Sequence, residues 1–288
     1  MSILIALASL GGLTLLLVIM LIAANKKLYV YEDPRIEQVG ELLPQANCGA
    51  CGLAGCGQFA ESLVNGKVQP ALCSVNTPEN LEAIASLLGV GLGEANRKVA
   101  RLACAGGSNV AVDRAHYEGI ESCQGMNLIG GGPKACSWGC LGQGDCAVSC
   151  NFDAIEMNAN GLPVVNENKC TGCGDCVSAC PKALFEIVPQ SESLWVACKS
   201  LEKGDQVLAH CEVGCSACGK CEMDAPAGLI TMEHHLPVIH HQAAKADKSV
   251  IDRCSTGAIL WFDPQVGPLR GDESRKIIRK GAKPVQAT

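Results

Sequence analysis

Aromatic side chains are scarce in this 288-residue sequence: four Phe, three Tyr and three Trp make up 3% of it. That shortage argues against one large aromatic-rich core. An excess of basic charge is also missing, since 23 Lys and Arg face 29 Asp and Glu, for a net charge of −6. A nucleic-acid binder needs a cationic face to displace phosphate counterions, so nucleic acid is excluded as a partner. The low hydrophobicity of a disordered chain is absent too, because 48% of residues are apolar. What the chain has in abundance is Cys, at 20 residues, and Gly, at 32. At about 150 residues per domain, the length suggests roughly two domains. Small units held by covalent or metal crosslinks fit this composition, because such units bury too little apolar surface to fold on that alone.

Charge is missing altogether from Ile3 to Ala24, a run of 22 residues. As a helix it would reach roughly 33 Å, enough to cross a bilayer core. A signal peptide fits poorly, because the stretch is too long and no basic residue precedes it. A buried core helix of this length would normally show a polar face. Lys26 and Lys27 follow directly. The positive-inside rule then puts the rest of the chain on the cytoplasmic side. Twenty cysteines suit either a secreted disulfide scaffold or thiolates that hold metal. The reducing cytoplasm selects metal ligation.

The first cysteine group is Cys48-x2-Cys51-x4-Cys56, with Cys73 further on and Gly49, Gly52, Gly55 and Gly57 interleaved. Glycine lets the backbone wrap an inorganic core and aim N–H groups at its sulfurs. Zinc sites usually pair two short Cys-x2-4-Cys units, whereas here three cysteines crowd one loop and the fourth is distant, which favours a four-iron cluster. Asp33-Pro34 reads as a helix start, with Arg35 to Leu43 helical, and Gln58 to Val64 reads as a helix leaving the loop.

The second group is the strongest signal. Cys170-x2-Cys173-x2-Cys176-x3-Cys180-Pro181 matches the bacterial ferredoxin run. Such runs come in pairs, and the fourth Cys of each ligates the other cluster. The partner run ends in Cys146-x3-Cys150. Upstream, the regular frame wants cysteines at 140 and 143; Cys140 is present, but Gln143 occupies the other position, with Cys136 nearby as a substitute. The expected ligand sets are Cys150, Cys170, Cys173 and Cys176 for one cluster, and Cys136, Cys140, Cys146 and Cys180 for the other. Either Cys136 or a non-Cys group completes the second.

The third group, Cys215-x2-Cys218-x2-Cys221, has Ala225-Pro226 where its fourth Cys belongs, and Cys254 ends a further degenerate run. The ligand swap makes sense of the pattern. One site keeps Cys215, Cys218, Cys221 and Cys254. The other would need positions 225, 244, 247 and 250, which are Ala225, Ala244, Asp247 and Val250, so that site is lost as a unit. An internal repeat supports this. A shift of 75 residues places Cys123 on Cys198, Cys136 on Cys211, Cys140 on Cys215 and Cys146 on Cys221, and a shift of 74 places Cys180 on Cys254. Each module also carries a strand–turn–strand pattern: Ile155 to Asn158, Gly161 and Val164-Val165 in one, and Leu229 to Glu233 and Val238-Ile239 in the other. Cys104, Cys123, Cys198 and Cys211 are left over. Cys123 and Cys198 precede expected strands, and as small buried apolar residues they need no ligand role.

Other motifs carry little. Gly89-Val90-Gly91-Leu92-Gly93 follows a helical stretch and has Glu94 where a dinucleotide fingerprint needs glycine, so it reads as a helix end and turn. Gly130-Gly131-Gly132-Pro133-Lys134 lacks the Lys-Ser/Thr ending of a phosphate loop. His234-His235 and His240-His241 read as surface histidines on strands beside a turn. No nucleophile–base pair stands out, so the chain holds no complete active site. Several one-electron clusters on a short chain suggest a relay.

The order of these features resembles the B subunit of Rnf-type complexes, the ion-translocating ferredoxin:NAD oxidoreductases of bacterial membranes. The resemblance is most specific in Leu42-Leu43-Pro44-Gln45-Ala46-Asn47-Cys48-Gly49-Ala50-Cys51-Gly52 and in Gly130-Gly131-Gly132-Pro133-Lys134-Ala135-Cys136. The family's motifs carry over to Cys48, Cys51, Cys56 and Cys73, and to Cys170, Cys173, Cys176 and Cys180. The resemblance implies an electron-transfer component of a redox-driven translocase. It would take electrons from soluble reduced ferredoxin and pass them to other subunits that couple the flow to Na⁺ or H⁺ transport and reduce NAD. A membrane-tethered scaffold for clusters or zinc, or an electron-transfer component of a related reductase complex, are the competing readings.

The expected architecture is a small α+β protein. A transmembrane anchor (1–25) lies in the lipid of the bacterial inner membrane, as a single pass with the bulk of the chain cytoplasmic. A helical four-Cys iron–sulfur domain (30–92) and a connecting region (93–134) follow. Two tandem ferredoxin-like modules come next, one with two clusters (135–190) and one with a single retained cluster (195–262), and then a tail (263–288). The expected cofactor content is four [4Fe-4S] clusters.

Overall fold

The computed structural model describes residues 2–28, 32–94 and 97–278. It is a mixed α/β structure. Helix α1 (Ser2–Leu28) carries Lys26 and Lys27 in its last turn. Within it, Ser9–Leu28 is long and apolar enough to cross a membrane by length and composition, and none of that span is buried against the rest of the protein.

The first globular unit is helical. Helix α2 (Pro34–Leu42) starts where Asp33 accepts a hydrogen bond from the Arg35 N–H at 2.9 Å, with Pro34 in the first turn. Helix α3 (Cys56–Val64) leaves the cysteine loop. Helix α4 (Pro78–Leu88) is capped by the Thr77 hydroxyl and ends at Gly89, whose φ of 67° closes the helix in the left-handed conformation. That ending is why the glycine run after residue 88 is a helix stop. Val39, Phe59, Leu63 and Ile84 form the core between the three helices.

The rest of the chain folds as two similar α/β units. In the first, β1 (Lys98–Leu102) pairs antiparallel with β4 (Phe185–Pro189), Lys98 opposite Pro189 and Leu102 opposite Phe185. Between them come the short helices α5 (Cys123–Leu128), α6 (Asp145–Val148) and α7 (Asp175–Ala179), and a hairpin of β2 (Ile155–Met157) and β3 (Pro163–Val165). In the second unit, β5 (Leu194–Val196) pairs with β8 (Ile259–Asp263), which also pairs with β9 (Gly267–Leu269). Helices α8 (Asp205–His210) and α9 (Lys220–Asp224) and a hairpin of β6 (Ile230–Glu233) and β7 (Leu236–Ile239) lie between. Strand β1 belongs to the region expected only to connect domains. Its Val99 and Ala100 are buried with Phe185 of β4 in one core rather than spanning open space.

Two expected strand features differ. Cys123 does not precede a strand but opens α5, because Ser122 accepts from the Gly125 N–H and caps a helix there. His234 and His235 form the two-residue turn of the β6–β7 hairpin, with φ of 49° and 69°, instead of lying on a strand.

Ala103, Trp195, Ala197 and Leu260 make a core shared by the two units, and the Trp195 indole N–H donates to the Leu102 carbonyl at 2.9 Å. Arg101 stitches the same seam. It is 3% exposed, its guanidinium reaches Glu167 at 2.6 Å, and its carbon lies 3.5 Å from the Phe262 ring centroid. Truncating one member of a buried charge pair leaves the other uncompensated. Arg101→Ala is expected to destabilise the paired units by about 3 kcal/mol, the lower end for a buried pair because Glu167 keeps some solvent. Denaturant unfolding, with Glu167→Gln completing a double-mutant cycle, checks this; a loss below about 1 kcal/mol, as for a surface pair, would refute it.

Candidate functional site

Three loops share one backbone path. They are Cys140 to Cys146, Cys170 to Cys176 and Cys215 to Cys221. The third residue of each has positive φ (Gly142 at 79°, Gly172 at 73°, Ala217 at 58°), as does the fifth (Gly144 at 82°, Gly174 at 94°, Gly219 at 72°). The fifth residue leads into α6, α7 or α9, and that helix carries the last Cys of the loop. Glycine is needed most at 172, where a Cβ would stand 2.8 Å from the Lys98 carbonyl oxygen. The tail after each fourth position repeats as well. Asp153, Ala183, Gly228 and Gly257 all have positive φ, three residues beyond Cys150, Cys180, Ala225 and Cys254. This turn lets the Ala154 N–H donate to Cys150 Sγ at 3.4 Å and the Leu184 N–H to Cys180 Sγ at 3.5 Å.

The loops gather cysteines into sets. Cys150, Cys170, Cys173 and Cys176 line one space. Cys215, Cys218, Cys221 and Cys254 line another. Cys123, Cys140, Cys146 and Cys180 line a third. The last set differs from the expected one, since Cys123 stands where the spacing calls for Cys136. The reason is the start of α5, which the Asp145 carboxylate holds by accepting from the Cys123 and Gln124 N–H groups at 2.9 and 3.0 Å. Asp145 is the residue beside Cys146, so this contact carries Cys123 to the loop that lacks a Cys at Gln143. Cys136 sits instead with Cys104, Cys198 and Cys211 around a fourth space. Sequence reasoning misses a role for Cys104, Cys123, Cys198 and Cys211 because none lies in a short Cys-x2-Cys spacing.

In the helical unit, Cys51, Cys56 and Cys73 pack against the α2–α4 core. Asn47 accepts from the Cys56 N–H at 2.9 Å and pins the loop. The Cys73 thiol is pushed up chiefly by burial, and the neighbouring Cys51 and Cys48 add to the shift.

Where the second unit lacks cysteines, apolar packing takes over. Ala225, Ala244 and Val250 belong to one core with Leu194, Leu229 and Ile251, while Asp247 caps the turn that follows it. The other motifs are structural. Lys134 donates to the Gly106 carbonyl at 2.6 Å and Arg114 to Gly130 at 2.6 Å, so the glycine-rich loop is packed against its own chain. His240 Nε2 meets the Thr231 hydroxyl at 2.9 Å, and His241 meets Glu192 at 3.2 Å.

Burial pushes Cys140, Cys146, Cys176 and Cys215 up to about 12, and neighbouring cysteines add to the shift. Such thiols keep their protons at neutral pH unless a cationic centre replaces them. Among the described residues, no three His, Cys, Asp or Glu side chains converge closely enough to hold a single metal ion. One zinc would draw its thiolates in to about 2.3 Å. Four thiols around one space, with backbone N–H groups aimed at the sulfurs, suit a polynuclear iron–sulfur core.

Comparison with known proteins agrees. A family model for an Fe-S cluster matches residues 43–75, and one for a 4Fe-4S binding domain matches residues 162–186. The B subunit of the Na⁺-translocating ferredoxin:NAD⁺ oxidoreductase complex of Acetobacterium woodii is 38% identical over 258 residues, covering 90% of this chain and 78% of the relative. The B subunit of the ion-translocating oxidoreductase complex of Methanosarcina acetivorans is 38% identical over 254 residues, covering 88% of this chain and 96% of the relative. The chain belongs to this B-subunit family. The B subunit of the proton-translocating ferredoxin:NAD⁺ oxidoreductase complex of Clostridium ljungdahlii is similar at 38% over 238 residues, covering 82% of this chain and 84% of the relative. The chain is therefore an iron–sulfur electron-transfer component of an ion-translocating oxidoreductase complex. Ions are translocated only across a membrane, so the family and helix α1 together associate the protein with one.

Proposed function

We propose that the chain takes single electrons from soluble reduced ferredoxin and relays them to membrane partners of its complex, which reduce NAD and move Na⁺ or H⁺. The ligand sets are Cys48, Cys51, Cys56 and Cys73; Cys150, Cys170, Cys173 and Cys176; Cys123, Cys140, Cys146 and Cys180; and Cys215, Cys218, Cys221 and Cys254. A [4Fe-4S] cluster in each would supply one-electron storage without bond rearrangement. The four-Cys domain and two tandem ferredoxin-like modules are the working parts, and α1 is a single-pass anchor in the lipid. Lys26 and Lys27 at its end favour a cytoplasmic location for the bulk of the chain.

The observation that carries the reading is that ligand loops of different sets touch. The Ser74 hydroxyl, next to Cys73, donates to the carbonyl of Thr171, next to Cys170, at 2.9 Å. Helix α6 bears Cys146, and Cys150 follows two residues after its end; α7 bears Cys176, and Cys180 follows it directly. Each of these short stretches thus serves two sets. Uptake is assigned to the second module, because Cys218 alone among the twenty cysteines is exposed. Delivery is assigned to the four-Cys domain, the unit nearest α1 in the chain.

Anaerobic stopped-flow mixing of the full chain with reduced ferredoxin should bleach the visible cluster absorbance in a fast phase. Cys218→Ala should abolish that fast phase. A variant reduced as fast as the parent would move uptake to another site.

A further inference from the structure

We propose that Cys104, Cys136, Cys198 and Cys211 hold a fifth four-iron cluster, seated in the seam between the two ferredoxin-like modules and joining their relays. The inference rests on the iron–sulfur relay reading above and extends it to the four cysteines that reading leaves unused.

These residues are far apart in sequence, and the fold brings all four to the lining of one space. Cys104 and Cys198 leave the equivalent strands β1 and β5, and the Ala105 N–H donates to the Ala197 carbonyl at 3.0 Å to hold the two exits side by side. Cys136 and Cys211 are set by a strap at residues 110–113. On one side the Ala135 N–H donates to Val112 at 2.8 Å and the Arg114 N–H to Pro133 at 2.7 Å. On the other the Val112 N–H donates to His210 at 2.9 Å and the Glu212 N–H to Val110 at 3.0 Å. A Cβ at Gly106 would stand 3.1 Å from Cys211 Sγ and 3.7 Å from Cys104 Sγ, so glycine keeps side-chain bulk away from both sulfurs.

A free buried thiol is an ordinary small apolar residue. Four converging thiols are different, because two of these sulfurs accept backbone N–H groups that belong to ligands of other sets. The Cys140 N–H donates to Cys104 Sγ at 3.4 Å, and the Cys215 N–H donates to Cys198 Sγ at 3.3 Å. Cys140 belongs to the first module's set and Cys215 to the second's, so the quartet lies one residue from each. Without it the two modules hold separate sites. With it, five sets run from Cys215 through Cys198, Cys104, Cys140, Cys146, Cys176 and Cys170 to Cys73, and all twenty cysteines are used. The two units explain why the quartet exists only once. Each gives one Cys two residues beyond its first strand, Cys104 after β1 and Cys198 after β5, and one four residues before its ligand loop, Cys136 and Cys211. Gln143 corresponds to Cys218, and the first unit fills that gap with Cys123 from the start of α5.

Native mass spectrometry of the full chain prepared without oxygen, with iron and acid-labile sulfide counts, tests this without any substitution. Five clusters and about 20 Fe per chain are expected. Four clusters and about 16 Fe, or a zinc ion at the seam, would overturn the fifth site alone, whereas a chain with no clusters would overturn the relay reading itself. Cys136→Ala and Cys198→Ala should each lose about four Fe, and the double variant no more than either single one, because both serve one cluster. Full iron retained in either variant would also overturn the proposal.

Discussion

Cys123→Ala alone is expected to lose about four Fe per chain, and adding Gln143→Cys in the same chain is expected to restore them. The three loops explain why. Gln143 lies between Gly142 and Gly144, whose φ values of 79° and 82° match those flanking Cys173 and Cys218. A thiol on the same backbone points where those thiols point. In the parent chain Cys123 supplies the missing ligand from the start of α5, anchored through Asp145. Rescue is therefore specific to position 143: Leu141→Cys, one step outside the frame, should leave iron low. Iron counts on the three variants decide it, and a Cys123→Ala chain with full iron would refute the assignment of Cys123.

Chelating the iron from the full chain should unfold the first α/β unit while α2, α3 and α4 stay protected. The difference lies in what the cores are made of. Of the eight buried residues in the core around β1 and β4, three are Cys (146, 170 and 176). The six buried residues of the helical core include none. Iron removal leaves the first core with facing thiols and no filling between them, and metal binding free energy is folding free energy in such units. Amide exchange should read a fall in protection of about 10³ or more in β1–β4, the scale of a whole domain's stability, against a small change in α2–α4. Equal loss everywhere, or none, would contradict this account.

Alkaline pH should deepen that unfolding. Burial, first, and nearby cysteines raise the folded iron-free thiols of Cys140, Cys146, Cys176 and Cys215 to about 12. An unfolded thiol titrates near 8.5. A raised pKa stabilises the folded form fully below the unfolded value and progressively less as pH climbs toward 12. The chelated chain should accordingly be less structured at pH 10 than at pH 7.

Local spacing made much of this protein legible. A ligand loop is seven residues with set dihedrals, so Cys170, Cys173 and Cys176 declare their geometry without any distant partner. The hairpin at residues 155–165 and the cap at Asp33 are local in the same way. So is the loss of a site in the second unit, where Ala225, Ala244 and Val250 mark an apolar filling that the repeat exposes. Other features exist only in three dimensions. The place of Cys123 follows from the Asp145 contact across 22 residues, and the quartet of Cys104, Cys136, Cys198 and Cys211 from strand exits and a strap that no spacing rule encodes. The turn at His234-His235 escapes the sequence because alternation alone does not reveal where a hairpin reverses. By itself the sequence determined that thiolates would cage metal in short glycine-bearing loops beside an apolar helix, because those ligands are neighbours along the chain. Only tertiary structure decided how the remaining cysteines group, because their partners meet through β1–β4 pairing and the packing of two units against each other.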